Sequence, residues 1–301
     1  MRKLAIIAIL GIWVCNTNNL HAQIFNQYNM YFEDLYTVNP AAANQNDFFR
    51  AGLNTNLANT GFYGSPKAMR LFISGPVNDN TGIGLRVVND SRGAFNTNNV
   101  IGSYAYKIKL GSGEHVISMG LSAGVYWQSF DISSIDALFP DDDVLYSEYT
   151  NKKYFMNEIG IHYSWKDLNV GFSAPYVLQL YNQYMAYTSY NYAVPGVDGF
   201  NILPMVLYQY LPEMKSQVDA GVKFMYDIVW ASFSYRTNNA ILAAIGVNYN
   251  KYNIAYSFGF NNSQLTTIAT GTHEIMLSYN FNIDFSSKKA SYDKDKMPWQ
   301  E

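Results

Sequence analysis

The sequence predicts an all-β chain folded as a transmembrane antiparallel β-barrel of about 14 strands, with short periplasmic turns and longer extracellular loops. Three observations carry that expectation. Of 301 residues, 49% are hydrophobic and 16% aromatic, with 26 Tyr and 18 Phe, while only 14% are charged, well under the ~25% of a soluble domain. No run of 18 apolar residues occurs and the mean hydropathy is -0.13, which excludes a helical membrane bundle. Segment after segment alternates apolar with small or polar residues at period two, the pattern of a strand with lipid on one face and water on the other. The same composition excludes disorder for most of the chain. A net charge of -3 offers nothing for nucleic acid.

The elements follow in chain order. Arg2 and Lys3 precede an uncharged apolar run from Leu4 to Val14, and a polar stretch then ends in Leu20-His21-Ala22. Residues 1–22 read as a secretory signal peptide cleaved before Gln23. Cys15 offers an alternative lipidation site, but Ile12-Trp13-Val14 lacks the small residue that such a site wants. Cleavage removes this only cysteine, so disulfide and thiol chemistry are excluded. It also takes two of the 20 basic residues, leaving 18 against 23 acidic.

Residues 23–48 form an N-terminal periplasmic segment. Tyr28, Met30, Tyr31, Phe32 and Leu35 make it too apolar for a free tail, so it is expected to pack at or in the barrel mouth, with Asn39-Pro40 turning the chain towards the first strand. The barrel itself spans 49–281. Alternation gives strands at 49–56, 67–74, 81–88, 98–109, 115–128, 154–164, 168–175, 183–192, 202–210, 217–226, 228–236, 240–249, 251–260 and 272–281, an even number as closure requires. The eighth rests partly on parity. In the fifth, Ile117, Met119, Leu121, Ala123, Val125 and Trp127 oppose Ser118, Gly120, Ser122 and Gly124. In the tenth, Val218, Ala220, Val222, Phe224 and Tyr226 oppose Gln217, Asp219, Gly221 and Lys223. Ile117, Leu121, Val222, Phe224, Leu277 and Tyr279 are thereby assigned to lipid.

Tight turns are expected after even strands, at Asn78-Asp79-Asn80, Gly111-Ser112-Gly113, Lys166-Asp167, Tyr226-Asp227 and Asn250-Lys251. The other joints are longer, notably Ser129 to Lys153 and Asn261 to Gly271. In the last strand, Ile275, Leu277, Tyr279 and Phe281 form an apolar row ending in an aromatic. Residues 282–301 form a C-terminal periplasmic tail, whose end from Ser286 is polar and mixed in charge. Both mature termini are expected on the periplasmic side.

Chemistry-bearing residues are few. His115, His162 and His273 lie on three separate strands without ligand spacing, so no metal site and no cofactor are expected. His162 shares a face with Glu158 and Ser164, but that face points into the lumen, where a lipid hydrolase could not use it. Alternation turns Arg50, Arg70, Arg86, Lys107, Glu158, Asp219, Lys223 and Glu274 inward. Charges of both signs facing one another fit a braced, occluded interior, because an unpaired buried charge costs several kcal/mol. Asp141-Asp142-Asp143 lacks the glycine and glutamate of an EF-hand. Tyr181, Tyr184, Tyr187, Tyr190 and Tyr192 read as an interfacial aromatic girdle. No glycine-rich phosphate loop occurs between a strand and a helix.

Several short motifs add a resemblance. Gln27-Tyr28, Asn39-Pro40-Ala41 and Gly61-Phe62-Tyr63-Gly64-Ser65-Pro66 open the series. Gly82-Ile83-Gly84-Leu85, Ser103-Tyr104-Ala105-Tyr106-Lys107-Ile108 and Met119-Gly120-Leu121-Ser122-Ala123-Gly124 continue it. Ser234-Tyr235-Arg236, Tyr256-Ser257-Phe258 and Gly271-Thr272-His273-Glu274-Ile275 close it. In this order the chain resembles the PorP/SprF family of Bacteroidota outer-membrane proteins over nearly its whole mature length. It departs at Asn44, where a glycine is common, and around 184–201. The resemblance implies a part in type IX secretion and, in some members, gliding motility. Its implied partners are periplasmic and outer-membrane components of that system and the C-terminal domains of secreted adhesins.

Three functions therefore compete. The first is a non-enzymatic barrel anchoring or positioning such partners. The second is a channel of the fatty-acid-transporter or porin type, and the third is a barrel lipid hydrolase.

Overall fold

The computed structural model describes residues 28–61, 64–111, 113–131, 152–178, 183–210, 216–237, 240–261 and 271–283. The expected signal peptide, the acidic run at 141–143, Tyr181 and nearly all of the expected C-terminal tail lie outside them.

The strands are β1 (Phe49–Leu57), β2 (Lys67–Pro76), β3 (Thr81–Arg92), β4 (Phe95–Leu110), β5 (His115–Phe130), β6 (Lys152–Trp165), β7 (Leu168–Pro175), β8 (Tyr184–Tyr190) and β9 (Tyr192–Ala193). They continue with β10 (Phe200–Tyr210), β11 (Gln217–Tyr226), β12 (Val229–Arg236), β13 (Ala240–Tyr249), β14 (Tyr252–Asn261) and β15 (Thr272–Phe281). β8 and β9 lie end to end along β10, so together they form one stave of a closed 14-strand barrel. All neighbours are antiparallel. The seam closes where β15 pairs with β1, from Phe49 opposite Phe281 to Leu57 opposite His273.

Side-chain alternation sorts the two faces. On β5, Met119, Leu121, Val125 and Trp127 are exposed on the outer face, while Ser118, Gly120 and Ser122 are buried inside. Phe224, Leu277 and Tyr279 are likewise exposed outside. Ile117 and Val222 share that facing and are half-buried by neighbours.

The joints differ at the two ends. At the end where β1 begins and β15 finishes, the connections are 77–80, 111–114, 166–167, 194–199, 227–228 and 250–251. Lys166, Asp227 and Asn250 there take φ of 51°, 51° and 53°, the left-handed geometry that a two-residue hairpin demands. The opposite end carries the longer joints apart from 237–239, with one departure from the expected strand bounds. β3 and β4 run on to Arg92 and Phe95, so Gly93-Ala94 alone turns the chain, with Gly93 at φ 57°. Asn89 donates to Asn96 and Asn98 at 2.8 Å across that outer face. The polar ladder explains why apolar alternation stopped short of the real strand ends.

Before β1, the chain makes three short 3-10 turns, Tyr31–Glu33, Leu35–Thr37 and Pro40–Asn44. They lie inside the barrel. Tyr31, Tyr36 and Ala41–Asn44 are all buried.

Candidate functional site

The lumen is the place where sequence distant in the chain converges. Residues 28–48 enter it beside the loop-side ends of β11, β12, β15 and β1 and leave at the short-turn end, where β1 starts. Asn29 and Met30 donate their backbone N–H groups to the Glu274 carboxylate at 2.6 and 3.2 Å. The same carboxylate accepts from the Asn54 and Asn56 amides at 2.9 and 3.0 Å. At the far end, the Asn44 amide donates to the Asn80 carbonyl in a short turn at 2.8 Å. The segment therefore crosses the lumen rather than stopping at its mouth.

The Asn-Pro-Ala stretch is its anchor. Asn39 caps the third turn by accepting from the Ala41 N–H at 2.9 Å, and Pro40 sits where a helical turn lacks a partner for N–H anyway. The Asn39 amide also donates to the Ile161 carbonyl on β6 at 2.9 Å and lies within 3.4 Å of the Phe172 carbonyl and the Tyr187 hydroxyl. Such proximity needs empty wall positions. A Cβ on Gly120 would collide with Pro40 and Ala41 backbone, and one on Gly160 with Asn39.

Charged pairs brace the rest. Arg70 meets Asp34 at 3.4 Å and also donates to the Thr37 hydroxyl. Lys223 pairs with Glu33. Arg86 pairs with Glu158 and donates to the Thr37 carbonyl at 3.0 Å. Asp219 takes three hydrogen bonds from Arg236, at 2.9, 2.9 and 2.7 Å. Arg50 donates to the Glu33 carbonyl at 2.5 Å and to Asn280 at 2.9 Å. Lys107 lies 3.8 Å from Asp47 at the short-turn end. Aromatic faces cover several of these cations: Tyr28 and Phe72 flank the Arg70 guanidinium at 4.6 and 4.8 Å, and Trp230 lies 4.4 Å from the Lys223 ammonium.

The motif residues at the other end organise joints. Gly64 accepts from the Gly93 N–H at 3.0 Å, Pro66 from Ala58 at 2.9 Å and Gly271 from Thr60 at 3.0 Å. Gly271 holds φ 113°, open only to glycine at low cost. His273 faces outward at the rim, 2.8 Å from the Tyr256 hydroxyl. His115 is a second outward rim histidine, stacked on Trp165 at 5.5 Å. His162 does lie inside, sharing 2.7 Å with the Tyr187 hydroxyl and touching Gln45. Glu158 is engaged by Arg86 instead, so these residues do not assemble into a nucleophile and its base. Tyr187 thus leaves the expected girdle: it is buried inside, while Tyr184, Tyr190 and Tyr192 are exposed outside.

Alternation missed the partners contributed by irregular chain, namely Asn29, Glu33, Asp34 and Thr37. It also passed over Arg236 on a strand, where parity with Trp230 and Ser232 would have shown it inward.

Comparison with known proteins places this geometry. The family model described as type IX secretion system membrane protein PorP/SprF matches residues 20–279. No curated protein matches the chain. Among solved structures, the TodX deltaS2S3 mutant monoaromatic hydrocarbon channel is similar with a TM-score of 0.52 and 9% identity, over 82% of this chain and 94% of that one. Omp33 of Acinetobacter baumannii gives 0.43 and 11%, over 78% and 98%. The KdgM porin gives 0.42 and 12%, over 77% and 99%. At 9% identity the first of these likenesses speaks for barrel architecture alone.

Proposed function

The chain belongs to the PorP/SprF family of type IX secretion system membrane proteins, and on that premise we propose that it is a non-enzymatic outer-membrane barrel that anchors or positions partners of the secretion and gliding machinery. The observation that carries this reading is the filled lumen. A transporter needs a path, whereas residues 28–48 occupy the interior and are held by ion pairs from Arg70 and Lys223. Binding surfaces are then left to the two ends. The short-turn end faces the periplasm in this reading, with the tail from residue 282 beside it and periplasmic type IX components as its partners. The loop end faces outward, where the C-terminal domains of secreted adhesins are retained.

Pull-down from native outer membranes, with and without Ser287 to Glu301, tests the reading. Loss of periplasmic type IX proteins on deletion, with heat-modifiable barrel migration unchanged, is the expected result. Unchanged capture removes the tail from the mechanism and assigns docking to the short turns. Large, stable single-channel currents from the purified full chain would overturn the anchoring reading in favour of a fatty-acid-transporter-like or porin-like channel.

A further inference from the structure

Without residues 28–47 the inner wall is not electrically balanced. Arg86 with Glu158 and Arg236 with Asp219 pair wall to wall. Three further wall cations find their carboxylates on the segment instead: Arg70 on Asp34, Lys223 on Glu33 and Lys107 on Asp47. Arg50 adds a fourth positive charge, directed at the Glu33 carbonyl. Against these stands Glu274, whose oxygens take the segment's amides. Strip the segment away, and these five wall groups leave an excess of three positive charges. Fixed cations around a narrow, low-dielectric passage select for anions.

The wall also reads main chain. Beyond the Glu274 contacts, Arg86 donates to the Thr37 carbonyl at 3.0 Å and Ser173 to the Val38 carbonyl at 2.5 Å. Amides and carbonyls presented in series belong to a polypeptide, not to an inorganic anion or a sugar acid. We infer that the lumen is a binding site for an acidic, irregularly extended polypeptide segment, occupied in cis by residues 28–47, and that another acidic segment competes for it. This places a ligand inside the barrel, apart from the docking surfaces at its ends.

Two measurements test the inference. A variant lacking residues 28–47 is reconstituted in planar bilayers under a KCl gradient. The expected reversal potential shifts towards that of chloride, and a synthetic peptide of residues 28–47 closes the current. A peptide carrying Glu33→Gln and Asp34→Asn blocks about tenfold more weakly or worse, since each lost carboxylate strands a buried cation. Cation-selective or unselective current, or equal block by both peptides, overturns the proposal. The second measurement does not depend on the deletion variant folding. In the full chain, Glu33→Gln with Asp34→Asn loosens the resident segment while keeping every wall residue. This variant is expected to bind the labelled acidic peptide and not the neutralised one; failure to bind the acidic peptide overturns the proposal.

Discussion

Glu274→Ala separates the hold on the lumen segment from the integrity of the barrel. The carboxylate is fully buried and receives four donors: the Asn29 and Met30 amides and the Asn54 and Asn56 side chains. Hydrogen bonds to a charged group contribute about 1.5 to 3 kcal/mol each, and more is lost when a buried donor is left without a partner. The two backbone amides alone set the loss of segment docking at about 3 to 6 kcal/mol, a factor of roughly 10² to 10⁴ in local opening. Asn54 and Asn56 stay on their strand, and the nine residue pairs joining β1 to β15 are untouched. Hydrogen exchange of the purified protein, read peptide by peptide, should therefore show residues 28–38 losing protection while β1 and β15 keep theirs. Ser278→Ala is the control, an inward residue of the same strand whose partner is Asn253 on the neighbouring strand. Equal protection of the segment in the Glu274→Ala and control variants would refute the clamp. Simultaneous loss of protection in β1 and β15 would show that segment and barrel do not open separately.

Further expectations follow from the same geometry. Gly160→Leu puts a side chain where Asn39 lies, so limited proteolysis should cut near residues 38–44 while heat-modifiable migration persists; an uncut segment would mean that the wall yields instead. Arg236→Met strands Asp219, which is fully buried, at a cost of about 3 to 5 kcal/mol. Adding Asp219→Asn should recover most of that loss in a double-mutant cycle on unfolding midpoints, and strictly additive losses would exclude the pair as a unit. Ile245 is 62% exposed in mid-strand on the outer face, so Ile245→Arg should lower folding stability in lipid by about 2 to 4 kcal/mol. An unperturbed midpoint would place that face away from the acyl chains.

The wall of the barrel was legible because its physics is local and periodic. Each strand meets two solvents, and residues such as Leu121 and Ser122 report them one position apart. Where the outside stops being lipid, the signal stops too. Asn89, Asn96 and Asn98 face outward in the β3–β4 hairpin and bond to each other, so alternation ended at 88 and resumed at 98 although the strands run on. Asn191 breaks the eighth stave into β8 and β9, and a strand of two residues leaves no period to count.

The lumen was half legible for a related reason. Parity placed Arg70, Lys223 and Glu274 inside, but it cannot name their partners, because ion pairs in a filled barrel join residues that no repeat relates. Glu33 ends one short 3-10 turn and Asp34 links it to the next, and their burial follows from three-dimensional enclosure, not from any face of a regular element. Charge balance was nevertheless within reach. The five cations that alternation turns inward outnumber its three carboxylates, Glu158, Asp219 and Glu274, while the apolar segment before the first strand carries Glu33, Asp34 and Asp47. The glycines complete the argument: Gly82, Gly84, Gly120 and Gly160 fall on inward positions where a small residue reads as mere polarity, yet each is a place where a Cβ would strike residues 36–44. Their spacing on β3, β5 and β6 records the shape of what the barrel holds.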